Sequence, residues 1–320
     1  MAELRKDPIL GDWVIIAPER ATRPSDHDRE NRAAAAAPID VCPFCLGNEA
    51  LTPDAVLTIP SDSSHDKWAV RIVPNRYPAV GSAATSIASN EFFYHAPADG
   101  LHEVIVESPS HKRAMRNLSA CQIFNVVQAW RDRLSEVSRN KAVAHTMIFK
   151  NEGDAAGASL EHVHSQLLAT SFVPPKISAE LSSGQEHFEK TGNVVWTEML
   201  DHELAEVTRI LFEDDDFVLF CPFASQFPGE MHLFPRKPEP AFENASEANL
   251  QSFATLLKSA VECLHGVFPE APFNLGLHTA PPRDDRRKFY HWHLAITPRL
   301  TGIAGFEVAS VISAIKLDHR

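Results

Sequence analysis

At 320 residues the chain is long enough for one large or two medium domains, each with a sizeable core. Apolar residues make up 44% and charged residues 22%, as in an ordinary globular protein, and the formal charge of −12 argues against a broad nucleic-acid surface. No apolar run reaches the length of a membrane span, and residues 1–24 are charged without a signal-peptide core, so a cytoplasmic location is expected. Of five cysteines, Cys42 and Cys45 form a Cys-Pro-Phe-Cys pair and the others are scattered. An odd count in such a chain favours metal ligation and buried thiols over disulfides.

In chain order, Trp13–Ala17 reads as a strand, followed by a polar arm carrying Arg20 and Arg23. Residues 25–40, with their alanine run, read as a flexible surface loop. Strands are expected at Lys67–Val73 and His102–Val106. A helix is expected over Asn117–Ser138, capped by Ser119, with Ile123, Val126, Val127, Trp130 and Leu134 in one stripe. A strand at Ala144–Lys150 leads through the Gly-bearing stretch Asn151–Ser159 to a further strand over 160–168. The second half repeats this order. Strands at Asp216–Cys221 and Met231–Pro235 precede a helix at Glu247–Val267, and strands at Phe273–His278 and His291–Ile296 follow. Each half ends on His-x-His, with His162 laid on His291, His164 on His293, and Gln166 on Ala295. We read this as an old duplication, with domains at 1–175 and 176–320 and a second copy that lacks the Gln.

Period-2 alternation sends His162, His164 and Gln166 to one face of their strand. The Cys42/Cys45 spacing suits one edge of a tetrahedral zinc, with His111 and His162 as the candidates to complete it; two partly buried thiols are the plainer alternative. In the second half His278, His291 and His293, with Glu180, could bind zinc or iron. Hydrogen-bonded histidines in a half-buried sheet explain that spacing equally well. A His164 standing two residues from a metal-tied histidine, with one ring nitrogen donating to a backbone carbonyl, meets the requirement for a nucleophile at phosphorus. Gln166 can donate to a non-bridging oxygen but cannot deliver a proton. The leaving group should therefore depart without a general acid, as a sugar phosphate does. Ser159 and Asn151 can donate to phosphate oxygens, and Gly153 and Gly157 allow close backbone approach. Arg20 and Arg23 can each grip a phosphate, or stand as solvated surface charges. Asn75 suits ribose or phosphate binding, or a turn.

These motifs together resemble galactose-1-phosphate uridylyltransferase and its relatives in the histidine-triad superfamily. The resemblance runs nearly end to end: Arg5-Lys-Asp-Pro-x-x-Gly-Asp-Trp-Val14, Arg20-Ala-x-Arg-Pro24, Cys42-Pro-Phe-Cys45, Asn75-Arg-Tyr-Pro-Ala79, Glu107-Ser-Pro-x-His111, Phe149-Lys-Asn-x-Gly153, Gly157-Ala-Ser159, His162-x-His-x-Gln166 and Gly305-Phe-Glu307. It implies a duplicated fold of the mixed α/β (α+β) class, with a mostly antiparallel sheet and flanking helices, and a homodimer. It also implies a ping-pong reaction in which His164 takes the nucleotidyl group of UDP-glucose and passes it to a hexose 1-phosphate. By the family pattern Cys42, Cys45, His111 and His162 hold a structural Zn2+; Glu180, His278, His291 and His293 hold a second Zn2+ or Fe2+; and Glu307 contacts the hexose. The sequence departs from the uridylyltransferase pattern at Val163, where Pro is usual, and at Ser165, where Gly is usual. Those residues, and the Pro298–Glu307 stretch, look more like relatives that act on ADP-sugars as phosphorylases. A nucleotide hydrolase is disfavoured by Gln166, where a third histidine would serve as the acid. A non-catalytic nucleotide-binding protein is disfavoured by the intact set of His164, Gln166, Ser159 and Asn151.

Overall fold

The computed structural model describes residues 2–9, 12–18, 20, 42–61, 64–81, 92–310 and 313. Arg23 and the loop expected at 25–40 lie outside the described residues. Among the described residues, thirteen strands and five α-helices follow in chain order. β1 (Glu3–Lys6), β2 (Trp13–Ile16) and β5 (His95–Pro97) make a small antiparallel sheet in the order β2-β1-β5. The other ten are β3 (Leu57–Ser61), β4 (Ser64–Pro74), β6 (Gly100–Val106), β7 (His145–Glu152), β8 (His164–Thr170), β9 (Ile210–Glu213), β10 (Phe217–Phe220), β11 (Met231–Pro235), β12 (Phe273–His278) and β13 (His293–Pro298). They form one antiparallel sheet in the order β3-β4-β6-β8-β7-β12-β13-β11-β10-β9. The helices are α1 (Ala120–Ser138), α2 (Pro175–Thr191), α3 (Val195–Glu206), α4 (Glu247–Val267) and α5 (Gly305–Ser310).

The large sheet reads the same outward from its middle. β7 pairs with β12, and on the two sides β8, β6, β4, β3 answer β13, β11, β10, β9. α1 precedes β7 as α4 precedes β12, so the repeat legible in the sequence is a repeat in space. Ser119 caps α1 by accepting from the Gln122 N–H, and Ser246 with Asn249 forms a capping box on α4. The apolar stripes of both helices pack on the same face of the sheet. Val126, Trp130, Phe253 and Leu257 join Ile105, Leu167, Leu275 and Leu294 in one core that crosses the junction of the halves. A mixed α+β fold with a mostly antiparallel sheet and flanking helices is thus what the chain forms.

Odd-numbered residues of β8 face those helices, so its even-numbered residues face the other way. On that other face of the first half, the Cys42–Cys45 turn packs Phe44 against Val104 and Val106 of β6. Over the second half, α2 and α3 cover the equivalent surface through Ile177, Leu181 and Trp196, with Tyr290 beneath. The sequence pattern did not announce α2. Its buried residues are only Ile177, Leu181 and Gly184, a narrow stripe on an otherwise polar helix. Pro175 starts it, and Gly192 ends it in the left-handed region at φ 78°.

Candidate active site

His164 opens β8 opposite Val106 of β6, and Gln166 lies opposite Val104 on one side and Phe149 of β7 on the other. Their side chains share the face that carries the Cys42–Cys45 turn. The His164 Nδ1–H donates to its neighbour's backbone carbonyl, the His162 oxygen, at 2.8 Å. That bond fixes the tautomer and leaves the lone pair on Nε2. Lys150, itself 1% exposed, donates from Nζ to the His164 carbonyl at 3.0 Å and to Glu107 Oε2 at 2.7 Å. The backbone on both sides of the ring is therefore held. A pocket of about 240 Å³ opens beside it, with Asn151, Gly153, Asp154, Ala158, His162 and His164 in its wall.

His162 stands just before the strand and is turned to a different task. Its Nε2–H donates to the Ser108 carbonyl at 2.9 Å, which leaves Nδ1 bare. Nδ1 lies 3.5 Å from Cys42 Sγ and 3.6 Å from Cys45 Sγ, and His111 Nδ1 lies 3.3 Å from Cys45 Sγ. Ligands at the corners of a zinc tetrahedron, with bonds of about 2.0–2.3 Å, stand roughly 3.3–3.8 Å apart. The four donor atoms lie within 4.8 Å of one another, so their chemistry and spacing fit the ion. Burial holds the His162 pKa down to about 4, which keeps the ring neutral at pH 7 as a ligand must be. Burial, then the adjacent Cys42 sulfur, pushes the Cys45 thiol up to about 11, so a bound cation is what would make that sulfur a thiolate.

In the second half Glu180, His278 and His293 bring three donor atoms within 4.8 Å of one another. His291 is not in that group. It is fully buried on the same face, its ring edge-on to Phe234 at 5.5 Å. Glu180 comes from α2 and is also met by His278 Nδ1 at 3.0 Å and by the Tyr290 hydroxyl at 2.6 Å. Burial works against its charge, yet His278 and Tyr290 hold the carboxyl below the usual range. The trio is therefore satisfied as a hydrogen-bonded cluster as well as fitted to a metal.

Asn151 and Gly153 share the pocket wall with His164, and Asn75 meets Gln166 through His102. Asn151 on β7 accepts from Asn274 Nδ2 through Oδ1 at 2.8 Å, which leaves its own amino group to donate. Gly153 has φ 84°, and a Cβ there would stand 2.9 Å from Pro272 Cβ; conformation and packing, besides any phosphate, require glycine. Gly157 adopts the left-handed region at φ 85°, with Ser159 two residues on and half-buried. Arg20 donates from Nη1 to the Tyr77 carbonyl at 3.0 Å and so is tied to the Asn75–Ala79 turn. Asn75 forms that turn, its Oδ1 accepting from the Tyr77 N–H at 2.8 Å. Glu307 lies on α5 with a buried carboxylate oxygen that makes no hydrogen bond.

Of the two departures from the uridylyltransferase pattern, Ser165 points away from the pocket, while Val163 borders it and also packs into the core. Ser165 accepts the Trp130 indole N–H at 2.9 Å, and Val163 is packed in the core with α1. Both touch the helix layer. Sequence reasoning passed over His102, which lies against both Gln166 and Asn75. Only the pairing of β6 with β8 shows that it shares their face.

With this geometry, two family models match the chain. One is described as the N-terminal domain of galactose-1-phosphate uridyl transferase and covers residues 1–174. The other is described as a domain of unknown function and covers residues 117–318. The chain belongs to the galactose-1-phosphate uridylyltransferase family. It is 30% identical to the ADP-glucose phosphorylase of Arabidopsis thaliana, over 96% of this chain and 87% of that one. It is 27% identical to the galactose-1-phosphate uridylyltransferase of Thermotoga maritima, over 93% and 87% of the two. A solved uridylyltransferase structure superposes with a TM-score of 0.81 at 27% identity, covering 98% of this chain and 93% of that chain. No helix among the described residues is long and apolar enough to cross a membrane.

Proposed function

We propose that the protein is a nucleotidyltransferase that carries the nucleotidyl group of a nucleotide sugar on His164, acting as a UDP-glucose:hexose-1-phosphate uridylyltransferase. The observation that carries this reading is the fixed tautomer: Nδ1–H on the His162 carbonyl, with the Nε2 lone pair on the face shared with Gln166. In the first half-reaction Nε2 attacks the α-phosphorus. The N–P bond forms, the bond from that phosphorus to the bridging oxygen breaks, and the sugar 1-phosphate leaves with the electron pair. The ring then bears a positive charge, which the His162 carbonyl stabilises through Nδ1–H. The Gln166 amino group donates to a non-bridging oxygen as charge builds there. In the second half-reaction a phosphate oxygen of the acceptor attacks the same phosphorus, and Nε2 departs with its lone pair restored. No step needs a general acid, in keeping with a glutamine at position 166. Ser159 joins His164 and Gln166 as a catalytic residue by donating to a phosphate oxygen. Arg20, Asn75, Asn151 and Gly157 are read as phosphate- or ribose-binding residues and Glu307 as the hexose contact; Arg23 keeps the phosphate role its guanidinium allows.

Cys42, Cys45, His111 and His162 would hold a Zn2+ whose part is structural: it would clamp the turn and His162, and so the carbonyl that orients His164. Glu180, His278 and His293, joined by His291 in the resemblance, are proposed for a second Zn2+ or Fe2+. Duplicated halves at 1–175 and 176–320, a homodimer and a cytoplasmic setting complete the reading. Purified protein should contain about one tightly held zinc per chain at the cysteine site, and Cys42→Ser with Cys45→Ser should lose it together with thermal stability. Elemental analysis that finds no metal, with both thiols titrating freely in the folded protein, would remove the zinc.

A second reading, ADP-sugar phosphorylase using the same His164 chemistry, is favoured by the 30% identity to the Arabidopsis enzyme of that name. Turnover of UDP-glucose with galactose 1-phosphate, set against ADP-glucose with inorganic phosphate, decides between them. The first reading expects at least tenfold higher kcat/KM for the uridine pair. The reverse ratio would transfer the function to the second.

A further inference from the structure

We propose that His102 is a positioning residue that fixes which end of the Gln166 amide faces the reacting phosphate. The inference rests on the function proposed above and adds to it a residue that neither half of the sequence pattern marks. His102 lies on β6, two residues before Val104, and Val104 is directly opposite Gln166. Alternation puts His102 on the same face and diagonally next to Gln166, within reach of a long side chain. The ring is buried, at 7% exposure.

Its hydrogen bonds determine its protonation. The Ala79 backbone N–H points at His102 Nδ1 at 2.9 Å, and a backbone N–H can only donate. Nδ1 must therefore be the unprotonated nitrogen, and in the neutral ring Nε2 carries the hydrogen. Nε2 lies 2.9 Å from Gln166 Oε1. The Nε2–H therefore donates to the amide oxygen, and the opposite amide orientation would set N–H against N–H. The Asn75 Nδ2 contact at 3.2 Å is then two donors side by side, since Asn75 Oδ1 is already taken by the Tyr77 N–H. Gln166 is thus locked with its oxygen toward β6 and its amino group left to serve a phosphoryl oxygen.

The chain of constraint runs from the Asn75–Ala79 turn, through one imidazole, to the one amide expected to meet the transition state. Without it Gln166 can turn its oxygen toward the phosphate, where it repels the developing charge. Removing a preorganised donor of this kind lowers kcat by about 10²–10³-fold, and loosening it should cost about 10- to 100-fold.

His102→Asn keeps an acceptor for the Ala79 N–H but is too short to reach Gln166. His102→Gln is long enough to donate to Gln166. Steady-state kinetics on both variants, alone and combined with Gln166→Ala, test the proposal, using whichever of UDP-glucose or ADP-glucose the parent turns over. Expected is a 10- to 100-fold lower kcat for His102→Asn with KM within about threefold, recovery of most of that loss in His102→Gln, and an added effect below twofold once Gln166 is Ala. An equal loss from His102→Asn in both backgrounds, or a rise in KM alone, overturns it. If His102→Asn fails to fold, His102→Ala takes its place in the cycle with Gln166→Ala under the same criterion. The ¹⁵N signals of His102 in the unliganded protein supply an independent readout. The Nε2–H tautomer is expected, and an Nδ1–H tautomer at neutral pH overturns the proposal. A parent that turns over neither donor but shows the expected tautomer would count against the transferase reading while leaving the geometry of this lock intact.

Discussion

Replacing His164 with alanine is expected to lower turnover by about 10⁴-fold or more while leaving nucleotide-sugar affinity within a few-fold of the parent, because the proposed nucleophile is removed. The binding wall survives the change: Asn151, Gly153, Asp154 and Ala158 line the pocket independently of the imidazole. No neighbouring ring can take over. His162 is the closest in sequence, but its Nδ1 faces the two cysteine sulfurs and its Nε2–H is committed to the Ser108 carbonyl. Isothermal titration beside steady-state kinetics separates the two effects. An alanine variant that kept more than about a hundredth of parental turnover would mean that the reaction proceeds without a histidine intermediate.

The second large effect concerns stability. Lys150 and Glu107 are 1% and 0% exposed, and they are joined at 2.7 Å between Nζ and Oε2. Glu152, 3.7 Å from the same ammonium, also accepts the Met115 backbone N–H, and burial nevertheless pushes its carboxyl up. One lysine thus answers two acidic groups in a water-poor layer beneath the site. Lys150→Met should destabilise the fold by about 3–5 kcal/mol, because Glu107 is left as a buried charge with no cation. Adding Glu107→Gln should restore much of that loss, since breaking a buried pair is worse than removing it. Urea unfolding of the single and double variants reads this directly. A Lys150→Met protein as stable as the parent would show that Glu107 is neutral or hydrated. The same lysine donates to the His164 carbonyl, so the stability lesion should also loosen the strand that carries His164.

Much of the fold is legible in the sequence. The boundaries of β11, β12 and α4 match the periodicity, and α1 begins one residue after its serine cap, because each has a full apolar stripe or a clear cap. The two His-x-His strands fall at mirrored places in the sheet, as the repeat implied. What stayed hidden depends on pairing between segments far apart in sequence. His102 and Gln166 are 64 positions apart, and only the register of β6 on β8 brings them together. α2 lacked the broad stripe that reveals a helix, so Glu180 was a candidate ligand with no element to place it on. Ser165 looked like a specificity mark beside the nucleophile, but strand alternation turns it to Trp130 and the helix layer. A sequence departure beside a catalytic residue is therefore as much a packing fact as a functional one.

The chemistry proposed for this site stands on a covalent nucleotidyl-His164, and an intact mass of the protein after mixing with UDP-glucose or ADP-glucose, at neutral pH without acceptor, looks for it directly. A single added uridylyl mass from UDP-glucose is expected, absent in His164→Ala and discharged by hexose 1-phosphate. The adenylyl mass from ADP-glucose instead would keep His164 as the carrier and make the enzyme a phosphorylase. No adduct from either donor in a protein that still turns one of them over, or an adduct that persists in His164→Ala, would contradict the covalent intermediate.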